Sequence, residues 1–288
     1  MMKLDKVRTA KKIGDFTPED QQWHELRTKG ITGTDTGAIL GVSPFASAYK
    51  VWAVKTGQVS DEVKQNERMR LGQLLEAPLI QLYREKHEDV TVYENVGTYI
   101  HEDHPELIAN PDGLVTIGDK LYILEVKTSR NYWSDVPAHY RTQVLHYADV
   151  FSADGVIVIS LAGGDYQEWE VEVDENELAM QRAIILEFWR ENIVNGVEPD
   201  WDGSQSTYET VRAMSQPAEE EETDLGYLGV QLYNALIEFN AADEELKKLK
   251  SATLAQMKDA KYGYSEGYLV AVKRQRGEGK PYLEVKGR

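Results

Sequence analysis

Hydrophobic and polar residues follow two different periods along the first two thirds of the chain. Segments in which apolar residues recur every three or four positions predict helices, and they alternate with apolar runs rich in β-branched residues, which predict strands. Strand-like runs lie at 90–100, 114–117 and 120–127, and VIVISLAGG and YQEWEVEV follow as an antiparallel pair around Gly163 and Gly164. The order helix, strands, helix, strands, helix predicts an α/β fold of the mixed α+β type, in which helices flank a central mixed β-sheet.

Capping residues and prolines mark the helix boundaries. The first helix is expected to begin at Thr17, with Pro18 in its first turn, because a hydroxyl cap followed by proline is typical of helix N-termini. A second long helix is predicted at 69–87, interrupted at Pro78, and a third at 134–150.

The last third of the chain has a different composition. Residues 203–224 are polar and end in an acidic run, which is typical of a linker. The segment beyond them carries one apolar helical stripe, formed by Leu232, Leu236, Phe239, Leu246 and Leu249. A basic segment then predicts a hairpin that turns near Gly277–Gly279. We therefore predict a main domain at 1–202, an acidic linker at 203–224 and a small C-terminal extension of helix and β-hairpin at 225–288.

Charge and cysteine content restrict the chemistry. The chain has 32 Lys and Arg against 49 Asp and Glu, a net charge of −17, which argues against a nucleic-acid partner unless the charges are unevenly distributed. The absence of cysteine excludes disulfides, thiolate zinc sites, iron–sulfur clusters and cysteine nucleophiles, and it is compatible with a reducing cytoplasm. No apolar segment is long enough to span a membrane, and the basic N-terminus lacks the apolar stretch of a signal peptide.

The segment LVTIGDKLYILEVK predicts a hairpin that brings two acidic residues together. Gly118 and Asp119 suit a two-residue turn with glycine at the first central position. This turn fixes the register of the two strands, so that Asp112 falls opposite Glu125. Lys127 lies on the same face as Glu125 because side chains alternate along a strand.

The facing carboxylates of this hairpin repel each other, at a cost of up to ~1 kcal/mol even when both are hydrated. The cost is larger in a strand as apolar as LYILEV unless a cation lies between the two groups. Oxygen ligands without Cys or His favour Mg²⁺ or Mn²⁺ over zinc. From the hairpin alone, an exposed end with two hydrated acids is an equally good interpretation.

Two further polar residues lie on helix faces that are otherwise apolar. Glu76 precedes Leu79 and Tyr83 by three and seven residues, and Gln143 lies within an apolar stripe of the predicted helix at 134–150. Either residue alone is better explained as a satisfied polar group of the core. Together with the hairpin residues, they favour one shared site.

The tripeptide PDG, followed at a short distance by LEVK, resembles the signature of the PD-(D/E)XK nuclease superfamily. Longer segments are more specific, and their order and spacing are similar to those of the YqaJ-like viral recombinase family, also known as the phage lambda exonuclease family: WHELRTKGITGTDTGAILGVSPFASAYKVWAVKTG, MRLGQLLEAPLIQLY, IANPDGLV, LEVKTS and YRTQVLHYADVF. The resemblance covers about residues 17–200 and leaves the segment after the predicted linker unexplained.

The resemblance implies a restriction-endonuclease-like core with a metal-dependent nuclease site. By this resemblance, Asp112 and Glu125 hold two Mg²⁺ ions, for which Mn²⁺ substitutes, with help from the backbone carbonyl of Val126. Lys127 positions or deprotonates the attacking water.

The same resemblance gives roles to four residues outside the hairpin. Glu76 contacts a metal or its water, and Gln143 lies near the nucleophile. Arg27 and Thr34 match the pair that grips the 5′-phosphate of DNA, with threonine where serine is familiar. Thr34 also lies at a predicted helix start, where free N–H groups favour an anion. Taken singly, Thr34 could be a helix cap and Arg27 half of a surface ion pair.

Basic residues elsewhere are candidate DNA contacts. Arg130 and Arg141 lie near the predicted site in sequence and would extend a positive track on an otherwise acidic surface. Three basic residues of the C-terminal hairpin are further candidates: Lys273, Arg274 and Arg276. A hairpin that simply packs on the preceding helix is an interpretation of equal weight for this segment.

Residues and resemblance together predict a Mg²⁺-dependent 5′-to-3′ exonuclease. It would degrade double-stranded DNA from 5′-phosphorylated ends by two-metal hydrolysis and leave 3′ single-stranded overhangs for phage-type homologous recombination. A structure- or nick-directed endonuclease on the same fold and a catalytically inactive DNA-end-binding protein are the alternatives. The resemblance further implies a ring-shaped homotrimer, a single-strand annealing protein as partner, no membrane association, and a phage- or prophage-encoded protein in the cytoplasm of a bacterial host.

Overall fold

A computed structural model describes residues 2–16, 20–60, 66–217 and 220–286. The chain divides into two compact units, Met1–Gln216 and Pro217–Arg288. In these described ranges, no helix is long and apolar enough to cross a lipid bilayer.

The described ranges of the two units contain the following helices and strands, numbered in chain order. The helices are α1 (Gln21–Thr28), α2 (Gly33–Ile39), α3 (Ala48–Lys55), α4 (Glu67–Lys86), α5 (Ala138–Phe151), α6 (Glu175–Phe188, continued by a π-helical segment at Trp189–Val194), α7 (Gln205–Met214) and α8 (Gly226–Met257). The strands are β1 (Lys6–Val7), β2 (Ala10–Gly14), β3 (Ile31–Thr32), β4 (Thr91–Glu94), β5 (Thr98–His101), β6 (Leu107–Ala109), β7 (Gly113–Ile117), β8 (Lys120–Ser129), β9 (Gly155–Ala162), β10 (Asp165–Val171), β11 (Tyr262–Ser265), β12 (Tyr268–Arg274) and β13 (Tyr282–Val285).

Within the described residues, the first unit contains two mixed five-stranded sheets. One has the order β1-β2-β5-β6-β3, in which only β3 and β6 are parallel. The other has the order β10-β9-β8-β7-β4, in which only β8 and β9 are parallel. The second unit holds α8 and the antiparallel sheet β11-β12-β13. The predicted mixed α/β fold with a C-terminal helix and hairpin is confirmed.

Strand β8 is buried on both faces at the centre of the second sheet, because its middle residues are almost all apolar. Leu124 and Val126 pack with Ile80 of α4, in the apolar cluster on one side. Ile123 packs with residues of α5 on the other side. Side chains alternate along a strand, so Glu125 points to the α5 side and places a carboxylate within the core.

The hairpin of β7 and β8 has the register predicted from its turn. The pairs predicted between 114–117 and 120–123 are all present. Gly118 has a φ of 59°, which the first central residue of a type II′ turn requires. The ladder ends at the pair of Gly113 and Leu124, so Asp112 lies one residue beyond it.

The predicted strand at 90–100 is two strands in different sheets. β4 pairs with β7, whereas β5 pairs with β2 and β6. Between them Asn95 and Gly97 have φ values of 50° and 93°, a left-handed conformation that no strand continues through. The apolar run therefore turns a corner, which its hydrophobic pattern does not show.

The predicted linker at 203–224 contains α7. Ser204 caps this helix by accepting a hydrogen bond from the Thr207 N–H at 3.1 Å. α7 belongs to the first unit, so the structure divides the chain after Gln216 rather than at 202. The polar composition that favoured a linker includes the cap and the exposed face of this helix.

The predicted interruption of the second long helix at Pro78 is wrong. α4 continues through Pro78, although proline in a helix interior costs about 3 kcal/mol. The buried residues Leu79, Ile80 and Tyr83 hold this helix against the second sheet and offset that cost. α1 begins at Gln21, and the predicted cap at Thr17 and Pro18 lies outside the described residues.

Candidate active site

The carboxylate of Glu125 is the centre of a buried polar group. Its side chain is 2% exposed on β8. Oε1 accepts a hydrogen bond from Gln143 Nε2 of α5 at 2.9 Å and one from Lys127 Nζ at 2.5 Å. The polar residues predicted on the hairpin and on the helix at 134–150 therefore meet at one carboxylate oxygen.

Asp112 joins this group from the loop before β7. Its half-buried carboxylate accepts a hydrogen bond from the backbone N–H of Val126 at 2.7 Å, which ties the loop to the middle of β8. Asp112 therefore lies beside Glu125, as predicted, although the two residues are not a ladder pair. The predicted role of the Val126 carbonyl stays a prediction.

Electrostatic interactions link four side chains of the site. Burial and the charge of Glu125 raise the pKa of Asp112 well above its usual value, and the same two causes raise the pKa of Glu76 on α4. Burial opposes the charged form of Lys127, but Glu125 and Asp112 outweigh it and raise the pKa of this lysine. Lys127 is therefore an ammonium group at neutral pH, and it is outnumbered by three carboxyl groups.

The donor set of this site fits a hard divalent cation. Glu125 Oε2 is buried and accepts no hydrogen bond from the residues that the structure describes, which leaves a carboxylate oxygen for another ligand. Those residues contain no cluster of three or more Asp, Glu, His or Cys side chains arranged around one point. Mg²⁺ is commonly held by one or two carboxylates together with water and substrate phosphates, so Asp112 and Glu125 meet this requirement.

A cavity of about 170 Å³ contains the predicted phosphate-binding pair. Arg27 Nη2 lies 3.4 Å from Thr34 Oγ1 and donates to it, and the Arg27 guanidinium lies 4.6 Å from the ring centroid of Trp23. Asn110 and Tyr147 also line this cavity. The cavity is smaller than the sites of drug-sized ligands and combines a cation with hydroxyl and amide groups, which suits a small anion.

The N-terminus of α2 is capped by Thr32 rather than by Thr34. Thr32 and Asp35 form a capping box, in which Asp35 accepts hydrogen bonds from the N–H and the hydroxyl of Thr32, each at 2.8 Å. The Thr34 hydroxyl is therefore not used as a cap and faces the cavity.

One side chain joins the carboxylate group to the cavity. Gln143 Nε2 donates to Glu125 at 2.9 Å and to the Tyr147 hydroxyl at 3.1 Å, and Tyr147 lines the cavity that holds Arg27 and Thr34. The structure thus brings seven predicted residues into two adjoining sites: Arg27, Thr34, Glu76, Asp112, Glu125, Lys127 and Gln143.

The other candidate DNA contacts are placed differently. Arg141 forms a bidentate ion pair with Glu177, with Nη2 to Oε2 at 2.9 Å, so its guanidinium is already engaged. Arg130 is exposed directly after β8. The three basic residues of the C-terminal hairpin belong to the second unit. Lys273 donates to the backbone carbonyl of Lys258, Arg274 pairs with Glu284, and the Arg276 guanidinium lies over the Tyr282 ring.

Sequence reasoning missed other residues that line the cavity, among them two aromatic residues and an asparagine. Trp23, Asn110 and Tyr147 are not among the site residues predicted from the sequence. The spacing of four between Trp23 and Arg27 on α1 places both on one helix face and could have paired them. Asn110 precedes the strand ladder, and no pattern in the sequence indicates where its side chain points.

The chain is similar to known proteins in sequence. Residues 22–154, which include all seven of these residues, match the model of the YqaJ-like viral recombinase domain. The Bacillus subtilis (strain 168) protein called "Uncharacterized protein YqaJ" is 29% identical over 261 residues, covering 86% of this chain and 81% of that protein.

Solved structures show a similar fold. The alkaline exonuclease LHK-Exo from Laribacter hongkongensis is 18% identical, with a TM-score of 0.49, over 61% of this chain and 94% of that protein. Its complex with dAMP gives a TM-score of 0.50 with the same identity and coverage. At this identity, the likeness is one of fold.

Proposed function

Since residues 22–154 match the model of the YqaJ-like viral recombinase domain, we propose that the protein is a Mg²⁺-dependent 5′-to-3′ exonuclease. Its substrate is double-stranded DNA with a 5′-phosphorylated end. Its products are 5′ nucleotides and a 3′ single-stranded overhang of the kind that phage-type homologous recombination uses.

The observation that carries this proposal is the connection of the two sites through Gln143. A cavity for a small anion adjoins the carboxylate group, and one amide contacts both Glu125 and Tyr147. A terminal phosphate held in such a cavity would fix the distance to the bond that is cut. This arrangement favours an exonuclease over an endonuclease, which has no use for a pocket that recognises a DNA end.

Asp112 and Glu125 are the residues that would hold the metal. When bound, two Mg²⁺ ions would supply an activated nucleophile and neutralise the charge that develops on the phosphate. Gln143 and Lys127 keep Glu125 in one orientation by binding Oε1, and the hydrogen bond from Val126 does the same for Asp112. Glu76 is close enough for its charge to act on Asp112 and is the third candidate acid.

Lys127 is placed to donate hydrogen bonds at the site. Glu125 and Asp112 raise its pKa, so the ammonium form persists at neutral pH. Its Nζ protons can donate to a phosphate oxygen or to the attacking water and stabilise developing negative charge. Both roles that the family resemblance allows for Lys127, positioning and deprotonating the water, use this same placement beside Glu125.

A cleavage assay distinguishes the three functional candidates. Linear duplexes and covalently closed circles are incubated with Mg²⁺ and wild-type protein, Lys127→Ala or Lys120→Ala. Lys120 is an exposed residue at the far end of the same strand and serves as the matched control. We expect nucleotide release from linear DNA only, loss of this activity in Lys127→Ala, and normal activity in Lys120→Ala. Cutting of closed circles would support the endonuclease, and no hydrolysis in any divalent metal would support the end-binding protein.

Metal binding can be tested without activity. Mg²⁺ or Mn²⁺ that binds the folded state at 100 times its dissociation constant stabilises the protein by about 2.7 kcal/mol. Wild-type protein should therefore melt at a higher temperature in Mg²⁺ than in EDTA. Glu125→Gln retains the shape but not the charge, so it should lose this difference. An equal metal-dependent rise in Glu125→Gln would contradict the assignment.

The assembly partners remain predictions from family resemblance. A ring of three chains around DNA and a single-strand annealing protein are both compatible with an enzyme that stays on one strand and exposes the other. A cross-linking or light-scattering measurement with and without duplex DNA tests the ring directly.

A further inference from the structure

Helix α8 exposes an extensive apolar surface. It spans 32 residues, and Met257 at its end is its buried residue. Its first half is apolar around most of its circumference, with Leu232 65% and Phe239 67% exposed. A helix of this length with such a surface is stabilised in water by packing rather than by helix propensity, so it requires a partner.

The apolar residues of α8 follow a heptad repeat. Taking Leu232 as position a, the a positions hold large side chains: Leu232, Phe239 and Leu246. The d positions are small in the middle and large at the ends: Leu228, Ala235, Ala242 and Leu249. A repeat of seven with a and d apolar is typical of helices that pair along their length.

This distribution of sizes selects the orientation of the partner. A parallel pair stacks identical residues, so Phe239 would meet Phe239 and Ala235 would meet Ala235, which crowds one layer and leaves the next one empty. An antiparallel pair centred on Ile237 sets a against d, so that Phe239 meets Ala235 and Leu232 meets Ala242. Large side chains then pack against small ones in the central layers. We propose that α8 pairs with α8 of a second copy of this chain, in antiparallel orientation.

Charges at the ends of the apolar segment agree with this pairing. Residues 220–224 before α8 are mainly acidic, and three lysines follow the apolar segment: Lys247, Lys248 and Lys250. Antiparallel pairing brings the lysines of each copy towards the acidic residues of the other, whereas parallel pairing stacks like charges. The one unfavourable contact is between the two Glu238 side chains, which approach each other at the centre.

Because the chain has no cysteine, any disulfide between two chains must involve the cysteines that are introduced. Gln231 and Glu245 both occupy the g position, and the antiparallel pair brings Gln231 of one copy next to Glu245 of the other. Co-expressed Gln231→Cys and Glu245→Cys full-length chains should form a disulfide-linked dimer, and either variant alone should form little. Ala242→Cys alone, at a d position that faces its own copy only in a parallel pair, should form little cross-link. Efficient cross-linking of this variant would show a parallel pair and overturn the proposal, as would the absence of any cross-link in the mixture of Gln231→Cys and Glu245→Cys.

The apolar stripe can be tested independently by light scattering. Leu232→Glu with Phe239→Glu should halve the mass of the wild-type particle, whether α8 pairs join two single chains or two rings of three, while the helical circular dichroism is retained. Asn234→Glu, on the same exposed helix but outside the a and d positions, should leave the mass unchanged. Leu232→Ala provides a milder variant if the double substitution does not fold. A wild-type protein whose mass does not change in these variants would contradict the pairing.

Discussion

At the scale of single residues, Asp35 connects three segments around the candidate phosphate cavity. Its carboxylate binds the N–H of Thr32 at 2.8 Å and Lys55 Nζ at 2.7 Å, and Lys55 also donates to the backbone carbonyl of Arg27. The Lys55 side chain is 3% exposed, so this ion pair is buried. We infer that Asp35 and Lys55 hold Arg27 and the start of α2 in place.

Asp35→Asn is expected to lower the free energy of unfolding by about 3 kcal/mol at neutral pH, because it leaves Lys55 buried without a counter-ion. Burial raises the pKa of Asp35, but Lys55 and Arg27 outweigh it and hold this pKa below its usual value. The carboxylate therefore contributes its full stabilisation of the folded state above about pH 4, which is the pKa of an aspartate in an unfolded chain. This stabilisation is lost as the pH falls through the lower pKa of Asp35 in the folded state.

Urea unfolding of wild-type and variant protein across this pH range measures the effect. The difference between them should be constant near neutral pH and shrink in acid. Asp15→Asn, at a largely exposed aspartate, should stay within about 0.5 kcal/mol of wild type. A difference for Asp35→Asn that does not depend on pH would contradict this interpretation.

Individual site residues could be predicted where local geometry fixed them. A two-residue turn determines a register, so Asp112, Glu125 and Lys127 could be placed together from the sequence. The contact of Gln143 with Glu125, by contrast, depends on tertiary structure, because it joins a helix to a strand. The position of Asn110 also depends on tertiary structure, because its loop has no repeating pattern.

At the scale of elements, the corner between β4 and β5 decides which strand enters the candidate active-site sheet. Gly97 forms this corner with a φ of 93°, and a Cβ there would lie 2.7 Å from the Gly14 carbonyl oxygen. The sequence shows one apolar run at 90–100. The positive φ values of Asn95 and Gly97 within this run follow from the division into two sheets and could not be predicted from the hydrophobic pattern.

Gly97→Ala should therefore destabilise the protein by roughly 1–3 kcal/mol, because alanine adds both backbone strain and a steric clash. Gly203→Ala is the control, since nothing lies within 4 Å of a Cβ at that position. Chemical denaturation measures both. Equal stability of the two variants would show that the corner tolerates a side chain.

At the scale of the whole molecule, a net charge of −17 means that the proposed DNA substrate would have to be held where cations are locally in excess. Part of the negative charge lies in the carboxylates of the candidate metal site, and part lies before α8. Composition alone could not predict this distribution, because it depends on which acids the fold brings together. Arg141, a predicted DNA contact, is neutralised by Glu177, whereas Arg130 is exposed.

The salt dependence of DNA binding tests these two arginines. In an inactive Glu125→Gln background, Arg130→Ala should reduce the slope of log K against log salt by about 0.9, the effect of one lost phosphate contact. Arg141→Ala should leave the slope nearly unchanged, because its guanidinium already binds a carboxylate. A larger change for Arg141→Ala than for Arg130→Ala would reverse their roles.

The central claim is that Arg27 recognises the terminal phosphate, and the preference for phosphorylated ends tests it most directly. The rate of nucleotide release is measured on linear duplexes with and without a 5′-phosphate for wild type, Arg27→Ala and Lys29→Ala, an exposed lysine at the end of the same helix. Wild type and Lys29→Ala should release nucleotides about 10-fold or more faster from phosphorylated ends, the factor that corresponds to the free energy of one charged hydrogen bond. Arg27→Ala should release nucleotides at the same rate from both kinds of end. An unchanged preference in Arg27→Ala would contradict the claim.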